Sequence, residues 1–527
     1  MNSEKVQILY NGITGINEDI VEDAQCFQPK RKVKSWVTWS TVAACLCVAF
    51  WGVYGAARMG IIGRMGNTSG GGEGITYMSY AGPVFPLSAQ NGGDALRVER
   101  NVNYDFSPYE SITKSSEANG EVRTFESYAS QSIVTDSYVL TNSSQEEQTV
   151  TLIYPFAVSL SDDLEVLPII TVDGEKVPAA LHVGPYSGGY EGAYNTGADI
   201  SADMTHTLNL EELNSWEKYQ ALLSTDYQTR AFDALPELTQ PVVVYAISDM
   251  YGERSELATA PTLNMEFTID YAKTKILTFG FNGFRNDRIT GYCARDLFIP
   301  PKDSVYYGDA YLIVLGDDIG DYTLRAYVNG ACEKEMENAG GTVTRYETTL
   351  CEILAIAAKR NLGQYRSVNY DGDADILSMI PEDTFIGLAA ELMCDCGMLS
   401  NAPAMRYDTG MLEEIFNDSQ HMGRVMYLTF EVILPVGGRV EVAAKMVKEA
   451  SMDFRGANMN RNGYDMVTKL GSSLTYTGQT ASMSNTEHIE ILRQNFGFDL
   501  ENGITKVELD LAQEHYYLEI RKADQNR

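Results

Sequence analysis

Apolar and polar positions alternate along this chain with three different rhythms. The first rhythm is none at all: residues 35–57 carry no charge. As a helix, residues 36–57 would extend about 33 Å, against a hydrocarbon core of about 30 Å. Trp36 and Trp39 mark one end of the run, and Trp51 and Tyr54 the other. Amphipathic rings of this kind favour the two membrane interfaces. The run therefore predicts a transmembrane helix over 35–57. Lys30, Arg31, Lys32 and Lys34 precede it, whereas only Arg58 and Arg64 follow closely. The positive-inside rule then places residues 1–34 in the cytoplasm and everything after the span outside. Two other readings exist. A cleaved signal peptide would need a leader of about 35 residues before its apolar core, longer than the usual pattern. A lipoprotein site at Val42-Ala43-Ala44-Cys45 would be followed by polar residues, but Leu46 to Trp51 stays apolar.

The second rhythm is a period of two. Residues 133–141 and 149–156 carry strand signals and flank the polar turn 142–147. Residues 169–172 and 175–177 flank Asp173-Gly174, a strong hairpin cue. Residues 263–270, 274–281, 311–315 and 322–328 continue the strand pattern. Near the end, Met426, Leu428, Phe430, Val432 and Leu434 alternate, then Val440, Val442, Ala444 and Met446 after a Pro-Val-Gly-Gly turn. That pair predicts a half-buried antiparallel hairpin. Residues 507–511 and 516–520 repeat the pattern.

The third rhythm is helical. Ile13, Ile16 and Ile20 form a stripe in the tail, with Asn17 at a capping position. Such a stripe serves equally a helix lying on the bilayer and one docking a cytoplasmic partner. Residues 210–223 read as a helix, and so do 344–361, 381–393 and 409–416, the last capped by Asp408. The fold class expected is mainly β with helical insertions: an N-terminal transmembrane helix, then β-sandwich ectodomains with a small helical middle section. The boundaries are a tail 1–34, a span 35–57, a Gly-rich linker 58–75, a sandwich-like region 76–330, a helical section 331–422 and a C-terminal antiparallel β region 423–527.

The N-terminal order is a short helix ending Glu22-Asp23-Ala24, then the basic cluster, Trp36-x-x-Trp39 and Ala43-Ala44-Cys45-Leu46. It resembles bitopic membrane proteins of Gram-positive bacteria, some of them anti-sigma-factor-like regulators. The likeness covers about the first 60 residues. The tail has no His and only Cys26, so it departs from the zinc-binding members. The resemblance implies the bitopic topology and a bacterial origin more than a regulatory role.

Charge narrows the function. The net charge is −32 over 527 residues, yet the first 57 residues hold five basic and five acidic side chains. The whole excess lies beyond them, so nucleic acid is disfavoured as a partner. Five cysteines follow residue 57, too few for a disulfide scaffold;. No His-Glu-x-x-His or Gly-x-Ser-x-Gly motif is present.

Two segments carry candidate chemistry. Asp371, Asp373, Asp375 and Glu382 stand at positions 1, 3, 5 and 12 of a calcium-loop spacing. Ile376 replaces the glycine of the sharp turn at position 6, so calcium competes with a plain solvated loop. Tyr186, Tyr190 and Tyr194 stand on a glycine-rich loop, suited to adaptable contacts with a sugar or peptide. Cys394-Asp395-Cys396 offers two thiols, half of a metal site. The expected function is a membrane-anchored, non-enzymatic binding or sensing protein outside the cell. The alternatives are a surface hydrolase on cell-wall or carbohydrate material, whose paired acids no linear motif reveals, and a passive structural ectodomain.

Overall fold

Alternation at a period of two decides which side chains the chain buries. In the strand Leu96–Asp105, Leu96, Val98, Val102 and Tyr104 are buried, while Arg97 and Glu99 are exposed. The strand Gln131–Asn142 alternates without a break over its whole length. A computed structural model of the chain describes residues 78–118, 121–186, 223, 236–256, 258–368, 374–400, 407–453 and 460–523. The tail, the apolar run 35–57, the linker 58–75 and all of the expected helix 210–223 but Leu223 lie outside these residues.

Leu96–Asp105 and Gln131–Asn142 are the centre of a seven-stranded sheet. Its order is Lys506–Glu508, Thr475–Ser484, Leu96–Asp105, Gln131–Asn142, Arg439–Glu449, Ile169–Val172 and Glu175–Lys176. All neighbours are antiparallel except Thr475–Ser484 beside Leu96–Asp105, which run parallel. The inner face packs on two smaller sheets. One holds Ala180–Tyr186, Arg424–Leu434, Gln148–Val158 and Ser88–Ala89. The other holds Met78–Ser79, Ser451–Asp453, Asn462–Val467, His515–Lys522 and Ile489–Gln494. Val98, Tyr138 and Val442 share one core with Leu152, Phe430, Tyr464 and Leu518.

A second sandwich stands between these strands in the sequence. One sheet has the order Thr274–Phe279, Ala310–Gly316, Pro241–Gly252, Ala339–Thr349; the other Gly283–Asp287, Tyr292–Phe298, Thr262–Thr268, Tyr322–Tyr327. Ile247, Met265, Phe267, Leu312 and Val314 fill the space between them. Three helices, α1 (Leu350–Val368), α2 (Glu382–Asp395) and α3 (Leu412–His421), cover the outer side of the first of these sheets. Phe279 meets Phe416 edge-on at 6.1 Å, and Phe385 meets Phe416 at 6.4 Å. The helices share the core of the first sandwich, so they join the two rather than stand apart.

The structure corrects the expected fold class. Mainly β with helical insertions describes it, but the membrane helix does not belong to the description. No helix among the described residues is long and apolar enough to cross a bilayer. The longest, α1, carries Glu352, Lys359, Arg360 and Arg366, and charges of that number are costly in hydrocarbon. The helix expected over 344–361 begins only at Leu350, because residues up to Thr349 pair with Pro241–Gly252. Met411, not Asp408, occupies the N-cap of α3.

The expected hairpin near the end is also different. Arg424–Leu434 and Arg439–Glu449 do not pair with each other. The first pairs with Gln148–Val158 and the second with Gln131–Asn142, in opposite sheets. Each turn is therefore an arch that carries the chain across the sandwich. Asn142, buried at the crossing, donates its amide to the carbonyls of Glu146, Leu434 and Pro435 and so ties the two arches together. The Asp173-Gly174 turn is a true hairpin, with positive φ at both residues (49° and 83°) and Val172 paired with Glu175.

Candidate functional site

With alternate residues committed to the core, the outer face of the seven-stranded sheet is set by register. One row across it reads Glu441, Val139, Glu99, Gly478. The next reads Ala443, Ser137, Asn101, Thr480, Glu508. The third reads Lys445, Thr135, Asn103, Ser482, Lys506. The centre of the face is thus short hydroxyl and amide side chains, with carboxylates toward one side and ammonium groups toward the other. The short side chains hold one another. Thr480 Oγ1 donates to Asn101 Oδ1 at 2.7 Å, and Ser482 Oγ to Asn103 Oδ1 at 3.1 Å. The amide of Asn103 in turn donates to Ser484 Oγ at 3.3 Å.

A β-bulge opens this face into a groove. Thr477 is the extra residue, since Tyr476 pairs with Val98 and Gly478 with Glu99. A bulge bends and twists its strand. Nothing lies within 4 Å of the position a Cβ on Gly478 would take. The resulting groove is open and measures about 760 Å³; Glu99, Asn101, Ser137, Glu441, Thr480 and Glu508 are among its lining residues. That is the size range of sites that take small organic ligands, about 300–1,000 Å³.

The two central strands are clamped from beneath. Arg100 and Asp136 point inward and are 2% and 0% exposed. The guanidinium is bidentate to the carboxylate, with Nε to Oδ1 and Nη2 to Oδ2 both at 2.8 Å. Its remaining donors reach the carbonyls of Phe85, Val467 and Thr468. The Tyr138 hydroxyl donates to Asp136 Oδ2 at 2.6 Å and accepts the amide of Leu87. Every donor of the fork is thereby used, the condition under which a buried ion pair is tolerated. The clamp fixes the spacing of the rows above it.

The residues expected from sequence lie elsewhere. Tyr186 ends the strand Ala180–Tyr186, where its backbone pairs with Arg424. Tyr190, Tyr194, Asp371 and Asp373 lie outside the described residues. Asp375 caps the short 3-10 turn Ile376–Met379 through the amide of Ser378 at 2.9 Å, and its other oxygen accepts from the Tyr365 hydroxyl at 2.9 Å. Glu382 opens α2 and pairs with Lys359 at 3.1 Å. Among the described residues, no group of His, Cys, Asp and Glu side chains is arranged to hold a metal ion. Cys394 and Cys396 are free thiols, both pushed up to about 11 by burial.

Sequence reading passed over two of the strands that carry the face, Leu96–Asp105 and Thr475–Ser484. Arg100 stands at an inward position of Leu96–Asp105 and Gln479 at one of Thr475–Ser484, so neither strand reads as apolar alternation. The bulge at Thr477 shifts the second pattern by one. Val98, Val102 and Tyr104 at even spacing were the available signal. No protein-family model matches this chain, and no curated protein is similar to it in sequence.

Proposed function

We propose that the protein is a non-enzymatic binding or sensing protein, and that the outer face of the seven-stranded sheet is its recognition surface for a hydroxyl-rich chain such as a glycan. The observation that carries this reading is the ladder of short polar side chains fixed by their own hydrogen bonds. Such groups are ordered before a ligand arrives, which lowers the entropic cost of binding. Within a sheet they repeat about 4.8 Å across the strands and about 6.8 Å along them, a spacing suited to a repeating polymer. The carboxylates of Glu99, Glu441 and Glu508 add preference for hydroxyl donors or amino groups.

The groove supplies its own control. Gly478 is not in the left-handed region and has open space above it, so Gly478→Phe fills the groove with little strain on the fold. Calorimetry against chitohexaose and cellohexaose should show binding by the native chain and at least a tenfold loss in Gly478→Phe, about 1.4 kcal/mol. Absence of binding to both sugars, or equal binding by the variant, would sink the reading.

A hydrolase is the second reading. Glu99 and Glu441 both stand opposite Val139, which sets their Cα atoms about 10 Å apart, near the range used by inverting glycosidases. The Glu99 side chain, however, is 67% exposed and lies 3.9 Å from Arg439. A general acid is usually tuned by burial, so binding is the better supported. The placement of this face outside the cell, and a relay through residues 1–34 to a cytoplasmic partner, belong to the same proposal and rest on the charge asymmetry of the N-terminal sequence. Protease treatment of intact cells should cut the β region; full protection would reject the placement.

A further inference from the structure

The second sandwich holds three cations around one small cavity, in a chain whose net charge is −32. Lys275 comes from Thr274–Phe279, Arg288 directly follows Gly283–Asp287, and Arg295 belongs to Tyr292–Phe298. All three line a cavity of about 80 Å³, which Asn286, Tyr271 and Asp408 also border. Among the described residues no carboxylate lies within ion-pair distance of any of the three.

Arg295 is the most telling. It alternates with Cys293 and Leu297, both core residues, and is only 4% exposed. Its Nη1 donates to Asn286 Oδ1 at 2.7 Å and to the Ala294 carbonyl at 2.9 Å, both neutral acceptors. Its Nε has no partner. The neighbouring Asp296 carboxylate is used by Asn264 and Arg285 through Oδ1. Burial without a counter-charge lowers the Arg295 pKa, an effect that Cys293, Tyr271 and Asp296 only partly oppose. An unpaired charge at a core position is costly and is ordinarily neutralised by a counter-ion. Lys275 donates to the Ser400 carbonyl, again a neutral group. Arg288 lies over the Tyr271 ring at 5.7 Å.

The geometry points to a site for a phosphate group that keeps one proton, either free monohydrogen phosphate or the singly protonated phosphate terminus of a larger molecule, held by Lys275, Arg288 and Arg295. A water takes about 30 Å³ in the liquid, so the cavity has the volume of two or three waters and suits one oxyanion. Planar guanidinium groups match oxyanions in bidentate fashion. Asp408 is the one carboxylate among the described lining residues. It would repel a fully deprotonated anion, but it accepts a hydrogen bond from the P–OH of monohydrogen phosphate or of a singly protonated phosphate monoester. Sulfate at neutral pH has no proton to give. The site therefore selects phosphate over sulfate.

Calorimetry on the full-length chain tests this with inorganic phosphate, sodium sulfate and glycerol 3-phosphate. Phosphate should bind at least tenfold tighter than sulfate. Lys275→Gln and Arg288→Gln sit at half-buried and exposed positions and should each weaken phosphate about tenfold, the loss of one charge-assisted contact, while leaving the ligand-free melting temperature in place. Tighter binding of glycerol 3-phosphate than of phosphate would identify a phosphorylated molecule as the source, and the reverse would identify the free ion. No phosphate binding, equal affinity for sulfate, or undiminished affinity in both variants would overturn the assignment.

Discussion

The fold controls the protonation of Glu413 through burial. One of its oxygens accepts the Gly280 amide, and the other is sealed from solvent without a partner. Burial raises its pKa to about 7, against the pull of the Gly280 amide and the Arg360 guanidinium. The folded state thus binds the proton more tightly than the unfolded chain, whose carboxyl titrates near 4.3. The stability this lends is fully present below pH about 4.3 and is lost as pH rises through 7. Glu413→Gln keeps the shape and an acceptor for Gly280 but removes the titration. Denaturant melts should show that loss flattened in the variant, leaving it more stable at pH 8, on the order of 2 kcal/mol. Parallel pH profiles for the two proteins would refute this. Such a residue is hard to see in a sequence, where Glu413 is one of two glutamates in the first turn of a helix.

Strands and turns show more of themselves. The strands over 133–141 and 149–156 and the alternation of 426–434 and 440–446 were legible, and so was the Asp173-Gly174 hairpin. Alternation marks a buried face and nothing further, so it could not separate a hairpin from an arch. Both bury the same residues; only the partner strand differs. The polar groups inside are where this matters. Arg100 and Asp136 hold the two central strands from within, and their charges hid one of those strands from an apolar pattern. Removing one partner leaves the other charged and buried. Asp136→Asn should therefore cost about 3–5 kcal/mol, and a double replacement, Arg100→Met with Asp136→Leu, should cost less than the single change. Chemical denaturation of the three variants decides it, and a double variant less stable than Asp136→Asn would reject the clamp.

At the scale of the molecule, order in the sequence is a poor guide to neighbourhood. The split expected near 422 follows a change of composition from helix to strand. The strands beyond it, Arg424–Leu434 and Arg439–Glu449, pair with strands from the region before 186. Composition reports what an element is, not what it sits beside. The groove was illegible for the same reason, since Glu99, Ser137, Glu441, Thr480 and Glu508 come from five strands that only register brings into line. The parallel pair in the seven-stranded sheet has a further consequence, felt while the chain is being made. Leu96–Asp105 is synthesised long before Thr475–Ser484 and must wait for it. Until then one flank of its sheet is bare, a template for pairing with other chains. The second sandwich has all its strands by Thr349 and can mature on the ribosome long before. Growth from the middle outward makes the late segments the ones on which solubility of the newborn protein depends, and truncation after residue 470 the lesion most apt to send it into aggregates.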